Sequence, residues 1–230
     1  MATRRRRIDA GPRGLPRPGK RKLRRAEKAV ENRRALLRAG AMVVAKHGYA
    51  EASIARITKE AGLAQGTFYL YFPTRQALLD EVLPFAGERL SEHIRGRVKG
   101  ASNAFDVEEL SFRAAFEFLH DNPGFYRMLN EAEFAAPRGF STQFENAASR
   151  YLASLRRSSR RGELRGYEPR ELEVLVYMLM AVRFYIYLRF VKSNGGKTVR
   201  LPGWVVRTYM KFIRSGLNVP RAKVAQRGRM

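Results

Sequence analysis

The apolar positions of the first third of the chain follow the spacing of an α-helix. From Ala26 onward, apolar side chains recur every three to four residues, including the pairs at 36–37 and 43–44. Gly48 comes directly after His47, and a glycine at this point is typical of a helix C-terminus. The pattern therefore predicts a long first helix that ends at His47.

Two short helices joined by a glycine are predicted next. Ser53 is a suitable N-cap for the first of them, in which Ile57 lies on the apolar face. Gly62 then allows a left-handed backbone at the turn. In the second short helix Phe68 and Phe72 lie one turn apart, so both should point inward.

Beyond Gly100 the sequence is rich in aromatic residues and has helical periodicity in five segments. These helices are predicted at 107–120, 123–135, 140–161, 169–192 and 202–216, with breaks marked mainly by glycine and proline. The predicted fold class is therefore all-α, with an N-terminal three-helix unit containing a helix-turn-helix and a larger helical domain after it.

The charge of the chain favours a polyanionic partner. The formal net charge is +24 over 230 residues, and residues 1–25 hold eleven Lys or Arg against one acid, Asp9. Such a field attracts nucleic acid. Because residues 1–25 are also rich in Pro and Gly, they predict a disordered arm that either neutralises phosphates or only solubilises the chain.

Catalytic and metal-binding signals are weak. The chain has no cysteine, and His47, His93 and His120 are isolated from one another, without the spacing of metal ligands. A phosphate-binding loop and a nucleophile elbow are also missing. We therefore expect no enzyme activity, no cofactor and no metal.

One apolar run, 174–191, is long enough to raise the question of a membrane span. It contains Arg183 and Arg189, each of which would cost about 2.5 to 3.5 kcal/mol at a bilayer centre. A buried helix in a soluble, cytoplasmic protein is the better interpretation.

Residues 53–72 meet the requirements of a DNA-reading helix-turn-helix: a bracing helix, a tight turn and a second helix with outward polar groups. The sequence from 53 to 73, SIARITKEAGLAQGTFYLYFP, resembles the signature of the TetR family of bacterial transcriptional regulators. The resemblance extends over roughly residues 30 to 83.

The resemblance implies which side chains contact DNA. It assigns a base contact to Gln65 and phosphate contacts to Ser53 and Arg75. Thr67, Tyr69 and Tyr71 would contact the phosphate backbone or thymine methyl groups. The full set of DNA-binding candidates is Ser53, Gln65, Gly66, Thr67, Tyr69, Tyr71 and Arg75. The alternative is an ordinary structural role, with half-buried tyrosines and a solvated Gln65.

One position departs from the family pattern. Many members have a capping serine where this chain has Ala64, and alanine cannot accept the backbone hydrogen bond. The start of the recognition helix would then depend on water or on a phosphate.

The resemblance also implies that the C-terminal half binds a small molecule and pairs two subunits. Helix 169–192 is apolar almost all round, and helix 202–216 has one apolar stripe. Two such helices from each of two subunits would form a four-helix interface in a homodimer. The alternative is that both helices belong to an intrachain core.

An aromatic cluster in the same half predicts an effector cavity. The effector-binding candidates are Phe116, Tyr126, Tyr151, Tyr177 and Arg183. A charge in the middle of an apolar helix needs a partner, so Arg183 should pair with an internal acid such as Glu131 or Glu133, with a group across the dimer, or with a ligand. The predicted effector is small and apolar, with an anionic fatty acyl species as one candidate.

The predicted organisation is a disordered basic arm (1–25), a helix-turn-helix DNA-binding domain (26–75), a helical effector-binding and dimerisation domain (76–218) and a basic tail (219–230). The predicted function is a ligand-responsive repressor that binds double-stranded DNA as a homodimer on a palindromic operator. The alternative is a constitutive or architectural DNA-binding protein without an effector.

Overall fold

The structure is a computed structural model that describes residues 20–164, 166–192 and 199–217. The regular secondary structure of these residues is helical, which confirms the all-α prediction. The helices are α1 (Lys20–His47), α2 (Ile54–Glu60), α3 (Gln65–Phe68), α4 (Arg75–Arg97), α5 (Ala104–Asp121), α6 (Gly124–Ala135), α7 (Pro137–Arg160), α8 (Glu171–Phe190) and α9 (Gly203–Gly216). The five C-terminal helices are present as predicted, with their ends shifted by up to three residues.

The first helix begins earlier than predicted. It starts at Lys20, so residues 20–25, which were assigned to the disordered arm, form its first turns. The reason is local: Pro18 is the last proline before α1, and the Lys, Arg and Leu residues that follow are good helix formers. The rest of the arm, 1–19, and the predicted tail, 219–230, lie outside the described residues.

The long helix α4 connects the two halves of the molecule. Its first turn is capped by the Thr74 hydroxyl, which accepts a hydrogen bond from the backbone N–H of Ala77 at 3.0 Å. The helix packs against α1 on one side and against α5 and α7 on the others. It therefore crosses the predicted domain boundary at 75–76, and one continuous hydrophobic core runs through both halves.

A glycine sets how closely α7 approaches α4. A Cβ atom added to Gly139 would lie 2.3 Å from the backbone oxygen of Asp80, far inside van der Waals contact. Only a residue without a side chain lets the first turn of α7 rest on α4 at this point. Gly139 thus holds the N-terminal end of α7 against the helix that leads from the N-terminal half.

Candidate DNA-binding surface and effector cavity

The turn between α2 and α3 is built as the sequence predicts. Gly62 has φ of +65°, in the left-handed region. The next residue, Leu63, donates its backbone N–H to the oxygen of Thr58 at 2.9 Å and packs partly buried against the core. The Ser53 side chain caps α2 by accepting a hydrogen bond from the N–H of Arg56 at 3.3 Å. These contacts fix the direction in which α3 leaves the turn.

Two phenylalanines hold α3 from behind. Phe68 and Phe72 are fully buried, with ring centroids 5.8 Å apart. The guanidinium of Arg33, on α1, lies over the Phe72 ring at 4.8 Å. Because both rings are anchored in the core, the residues between them are held at the surface.

The side chains in front of these rings face solvent. Tyr69 is 60% exposed and Leu70 is 77% exposed, although both are large and mostly apolar. Gln65 and Gly66 are also exposed, and Thr67 is half-buried. We call Gln65, Gly66, Thr67, Tyr69 and Leu70 the reading surface. Leu70 was not among the DNA-binding candidates predicted from the sequence. The only indication in the sequence is that this apolar residue lies on the side of the helix opposite to Phe68 and Phe72.

The backbone of α3 begins without a side-chain cap. Ala64 occupies the N-cap position with φ −68° and ψ 146°, and it makes no side-chain capping hydrogen bond. The helix itself is only four residues long and is followed by a turn at 69–71. Its first N–H groups are thus open to an outside acceptor, as a phosphate oxygen would be.

Tyr71 and Arg75 are each bonded within the protein. The Tyr71 hydroxyl accepts a hydrogen bond from Nδ2 of Asn32, on α1, at 3.1 Å, which leaves its own proton free to donate elsewhere. Arg75 donates from Nε to the backbone oxygen of Ala52 at 2.8 Å and from Nη2 to the backbone oxygens of Tyr49 and Ala50. Arg75 therefore stabilises the loop between α1 and α2, a structural role that was not predicted from the sequence. Its predicted phosphate contact stays a prediction.

The C-terminal half encloses a cavity of about 1090 Å³ between α4, α5, α6, α7 and α8. Its walls are mostly apolar and include Leu90, Ile94, Leu129, Phe140, Met180 and Phe184. Four of the five predicted effector contacts, Tyr126, Tyr151, Tyr177 and Arg183, line it. Phe116 does not: it is buried behind the wall, with its ring 4.7 Å from that of Phe112.

A buried polar cluster lies at one part of this wall. It consists of Glu108 and Ser111 on α5, Tyr151 on α7, Arg183 on α8 and Tyr209 on α9. We call it the Glu108 cluster. Its members come from four different helices, so it forms only when the C-terminal half is folded.

Glu108 is the partner of Arg183. Nη2 of Arg183 donates to Oε1 of Glu108 at 2.6 Å and to Oγ of Ser111 at 2.8 Å. The hydroxyls of Tyr209 and Tyr151 donate to Oε1 and Oε2 of Glu108, each at 2.6 Å. Burial by itself would raise the pKa of Glu108, but the Arg183 charge and these hydrogen bonds outweigh it and lower the pKa. The carboxylate is therefore charged near neutral pH.

Neither of the acids predicted from the sequence, Glu131 and Glu133, is the partner of Arg183. Glu131 instead accepts a hydrogen bond from the backbone N–H of Tyr49 at 2.9 Å, and Glu133 is exposed. The sequence did contain an indication that Glu108 is buried, because this residue lies on the buried face of α5, at helical spacing from Ala104. An acid in that stripe has to find a buried partner.

Residues 36–82 match the sequence model of the bacterial regulatory proteins of the tetR family. This segment contains the turn, the two anchoring phenylalanines and the reading surface. This segment is therefore similar to the N-terminal domain of that family.

Two relatives match the chain over about a third of its length. The HTH-type transcriptional regulator YvdT of Bacillus subtilis is 35% identical over 81 residues, which are 35% of this chain and 42% of YvdT. The fatty acid metabolism regulator protein of Bacillus subtilis is 34% identical over 84 residues, 36% of this chain and 43% of that protein. The chain thus spans under half the length of these two relatives.

The fold of the chain is also similar to that of solved regulators. FadR of Bacillus halodurans, a fatty acid degradation regulator, superposes with a TM-score of 0.60 at 18% identity, over 82% of this chain and 97% of that one. FadR of Bacillus subtilis, solved in complex with stearoyl-CoA, gives 0.61 at 18% identity, over 80% and 98%. At this identity the likeness shows the fold alone.

The last two helices, α8 and α9, carry large apolar side chains that nothing in the described protomer covers. Val174, Met178 and Tyr185 on α8 and Trp204 and Phe212 on α9 are each more than half exposed. The opposite faces of these helices are buried in the core. Among the described residues, moreover, no helix combines the length and apolarity that a membrane crossing would need.

Proposed function

We propose that this protein is a TetR-family transcriptional repressor of the cytoplasm that responds to a ligand and binds a palindromic operator as a homodimer. The observation that carries the proposal is the reading surface, in which Tyr69 is 60% exposed directly in front of the buried Phe68. A tyrosine held outward in that position can contact a partner with both its ring and its hydroxyl. The major groove of DNA, with thymine methyl groups and phosphates, is the partner that a helix-turn-helix fits.

The exposed face of α8 and α9 supports the homodimer. Five large apolar side chains on two neighbouring helices form a patch of the kind that is covered in assemblies. A twofold pairing of this patch would create a four-helix interface and present two reading surfaces on one side. Two such surfaces require an operator with two half-sites about one helical turn of DNA apart.

The cavity supports a small apolar effector. A volume of about 1090 Å³ with mostly apolar walls is at the upper end of the size of ligand sites. Two of the structural neighbours were solved with acyl-CoA ligands: FadR of Bacillus subtilis with stearoyl-CoA, and AibR with isovaleryl coenzyme A and operator DNA. We propose an effector with an acyl or alkyl chain for this protein as well.

Release of the repressor from DNA on effector binding would depend on the contacts that join the cavity to the DNA-binding half. The walls of the cavity include residues of α4 and α6, and both helices also contact α1. An effector can bind more tightly to the form of the dimer in which the spacing of the two reading surfaces does not match the operator. Such an effector shifts the population away from the DNA-bound form, and the difference between its affinities for the two forms sets the size of the shift.

The test begins with selection of the purified protein on random duplexes, which should enrich a palindrome. Binding of that palindrome is then measured by fluorescence anisotropy for the wild type, Gln65→Ala and Tyr69→Ala. Loss of one base or backbone contact should weaken binding by about 10- to 100-fold, for a cost of about 1 to 3 kcal/mol. Phe134→Ala is the matched control, because Phe134 is an aromatic residue that is 85% exposed outside the reading surface.

A sequence-specific repressor and an architectural DNA-binding protein would give different outcomes in these assays. Enrichment of a palindrome, with loss of binding only in the two reading-surface variants, is expected. An architectural protein would enrich no sequence, would bind every duplex with similar affinity and would be insensitive to Tyr69→Ala.

A further inference from the structure

The charge of Arg183 is already matched inside the protein, and this restricts what can bind beside it. We infer that the effector presents an uncharged oxygen, such as a hydroxyl or an ester or thioester carbonyl, to the Glu108 cluster, and that a free carboxylate is rejected there. The inference deepens the proposed function, on which it rests, by naming the class of ligand. It also departs from the expectation that Arg183 binds an anionic head.

The Glu108 carboxylate leaves Arg183 no net charge to offer. Glu108 is 5% exposed, and its two oxygens accept hydrogen bonds from Arg183, Tyr151 and Tyr209. A ligand carboxylate at the same guanidinium would place two negative charges beside one positive charge, away from water. Like charges in such a site repel strongly, and the second carboxylate would have to lose its hydration as well.

Two buried polar atoms on the cavity wall still lack partners. Nε of Arg183, a donor, and Oε1 of Gln143, an acceptor, are buried and make no hydrogen bond with any residue that the structure describes. Both residues line the cavity, but the amide of Gln143 packs directly against Gly87 of α4, where an added Cβ atom would overlap it. Buried polar groups are normally satisfied, so Nε of Arg183 points to a missing partner at the cavity.

The unmet donor of Arg183 defines the complementary ligand group. A hydroxyl or a carbonyl oxygen can accept a hydrogen bond from Arg183 Nε. Neither group adds a charge to the Glu108 cluster. The remaining wall is mostly apolar and takes a hydrocarbon chain. Alcohols, esters and acyl thioesters of such chains share this chemistry.

The experiment compares ligands that have the same chain and differ only in the head group. Dodecanol, methyl dodecanoate, dodecanoyl-CoA and dodecanoate are titrated into the full-length protein by isothermal titration calorimetry. We expect dodecanol or methyl dodecanoate to bind at least about tenfold more tightly than dodecanoate. The dodecanoyl-CoA arm shows whether the neutral oxygen comes from a thioester or from a simple lipid.

A charge change in the protein should reverse the preference. Glu108→Gln keeps the shape and the acceptor oxygen but releases the charge of Arg183, so dodecanoate should gain about tenfold or more relative to dodecanol. Glu109→Gln is the matched control, since Glu109 is the next residue on α5, pairs with Arg113 at 2.8 Å and does not line the cavity. It should leave the ratio unchanged.

The inference is overturned if the wild type binds dodecanoate as tightly as the neutral ligands, if none of the four ligands binds, or if folded Glu108→Gln keeps the wild-type ratio. Should Glu108→Gln not fold, the wild-type comparison decides alone. The proposed function fails separately: ligands that bind with the expected preference but never release the selected palindrome would refute the repressor and leave the inference standing.

Discussion

Replacement of Arg183 by methionine tests the energetics of the Glu108 cluster. The change keeps an unbranched side chain of similar length but removes the guanidinium, which donates to Glu108, Ser111 and Tyr151. Glu108 is left buried with only tyrosine hydroxyls as donors. Removal of one partner of a buried ion pair costs about 3 to 5 kcal/mol. Because two donors to Glu108 remain, we expect a loss near the lower figure, about 3 kcal/mol at pH 7.

The loss should depend on pH with a definite sign. In the wild type the pKa of Glu108 is lowered from its ordinary value of 4.5, so its contribution to stability is present above that value and is lost only in stronger acid. In Arg183→Met burial dominates and raises the pKa of Glu108, so the penalty is fully present at pH 7. It is relieved as the pH falls toward 4.5 and the carboxyl takes up a proton.

Urea unfolding followed by circular dichroism, at one fixed protein concentration and at pH 7 and pH 5, measures both effects. The double variant Arg183→Met with Glu108→Gln should recover a large part of the loss at pH 7, since no buried charge remains. Arg113→Met is the surface control: its pair with Glu109 is 44% and 33% exposed, so the expected change is below about 1 kcal/mol. A loss in Arg183→Met that is equally small, or that grows as the pH falls, would refute this account of the cluster.

Further predictions concern the packing, the coupling and the assembly. Gly139→Ala should destabilise the fold by about 1 to 3 kcal/mol, because the added methyl meets backbone, while Gly96→Ala, with open space around it, should be neutral or slightly stabilising in thermal melts. Arg127→Ala removes a hydrogen bond to the Lys46 carbonyl at 2.8 Å. In anisotropy titrations the affinity for DNA should persist, while the release of DNA on addition of effector should weaken. Unchanged release would count against a connection between the cavity and the DNA-binding surface through α6. Phe212→Glu should yield monomers in sedimentation velocity, and a persistent dimer would place the interface elsewhere.

The structure of the N-terminal half was predictable because its determinants are local in sequence. Ser53 caps α2, Gly62 makes the turn and the spacing of Phe68 and Phe72 orients α3, all within twenty residues. Each of these features depends on neighbours along the chain and on backbone conformation. The boundary error at Lys20 has the same origin, since a run of basic residues was taken for disorder although it contains no helix breaker.

Partners distant in sequence were not predictable in the same way. Arg75 bonds to loop carbonyls 23 to 26 residues away, and Arg183 pairs with Glu108 across 75 residues. Helical periodicity shows that Arg183 and Glu108 each lie on a buried or apolar face, but it does not show which buried faces meet. The need for a partner could be inferred from the sequence, and the identity of the partner required the packing of α5 against α8 and α9.

The helix α6 shows how the two halves can act on each other. One face lines the cavity with Tyr126 and Leu129. Another face meets the end of α1, where Arg127 donates to the carbonyl of Lys46 and Glu131 accepts from the N–H of Tyr49. Since α6 has only twelve residues and is held at both faces, a ligand that displaces the cavity face must also strain or move the contacts with α1. The loop after α1 leads directly into α2, so the orientation of the reading surface and the occupancy of the cavity depend on the same short helix.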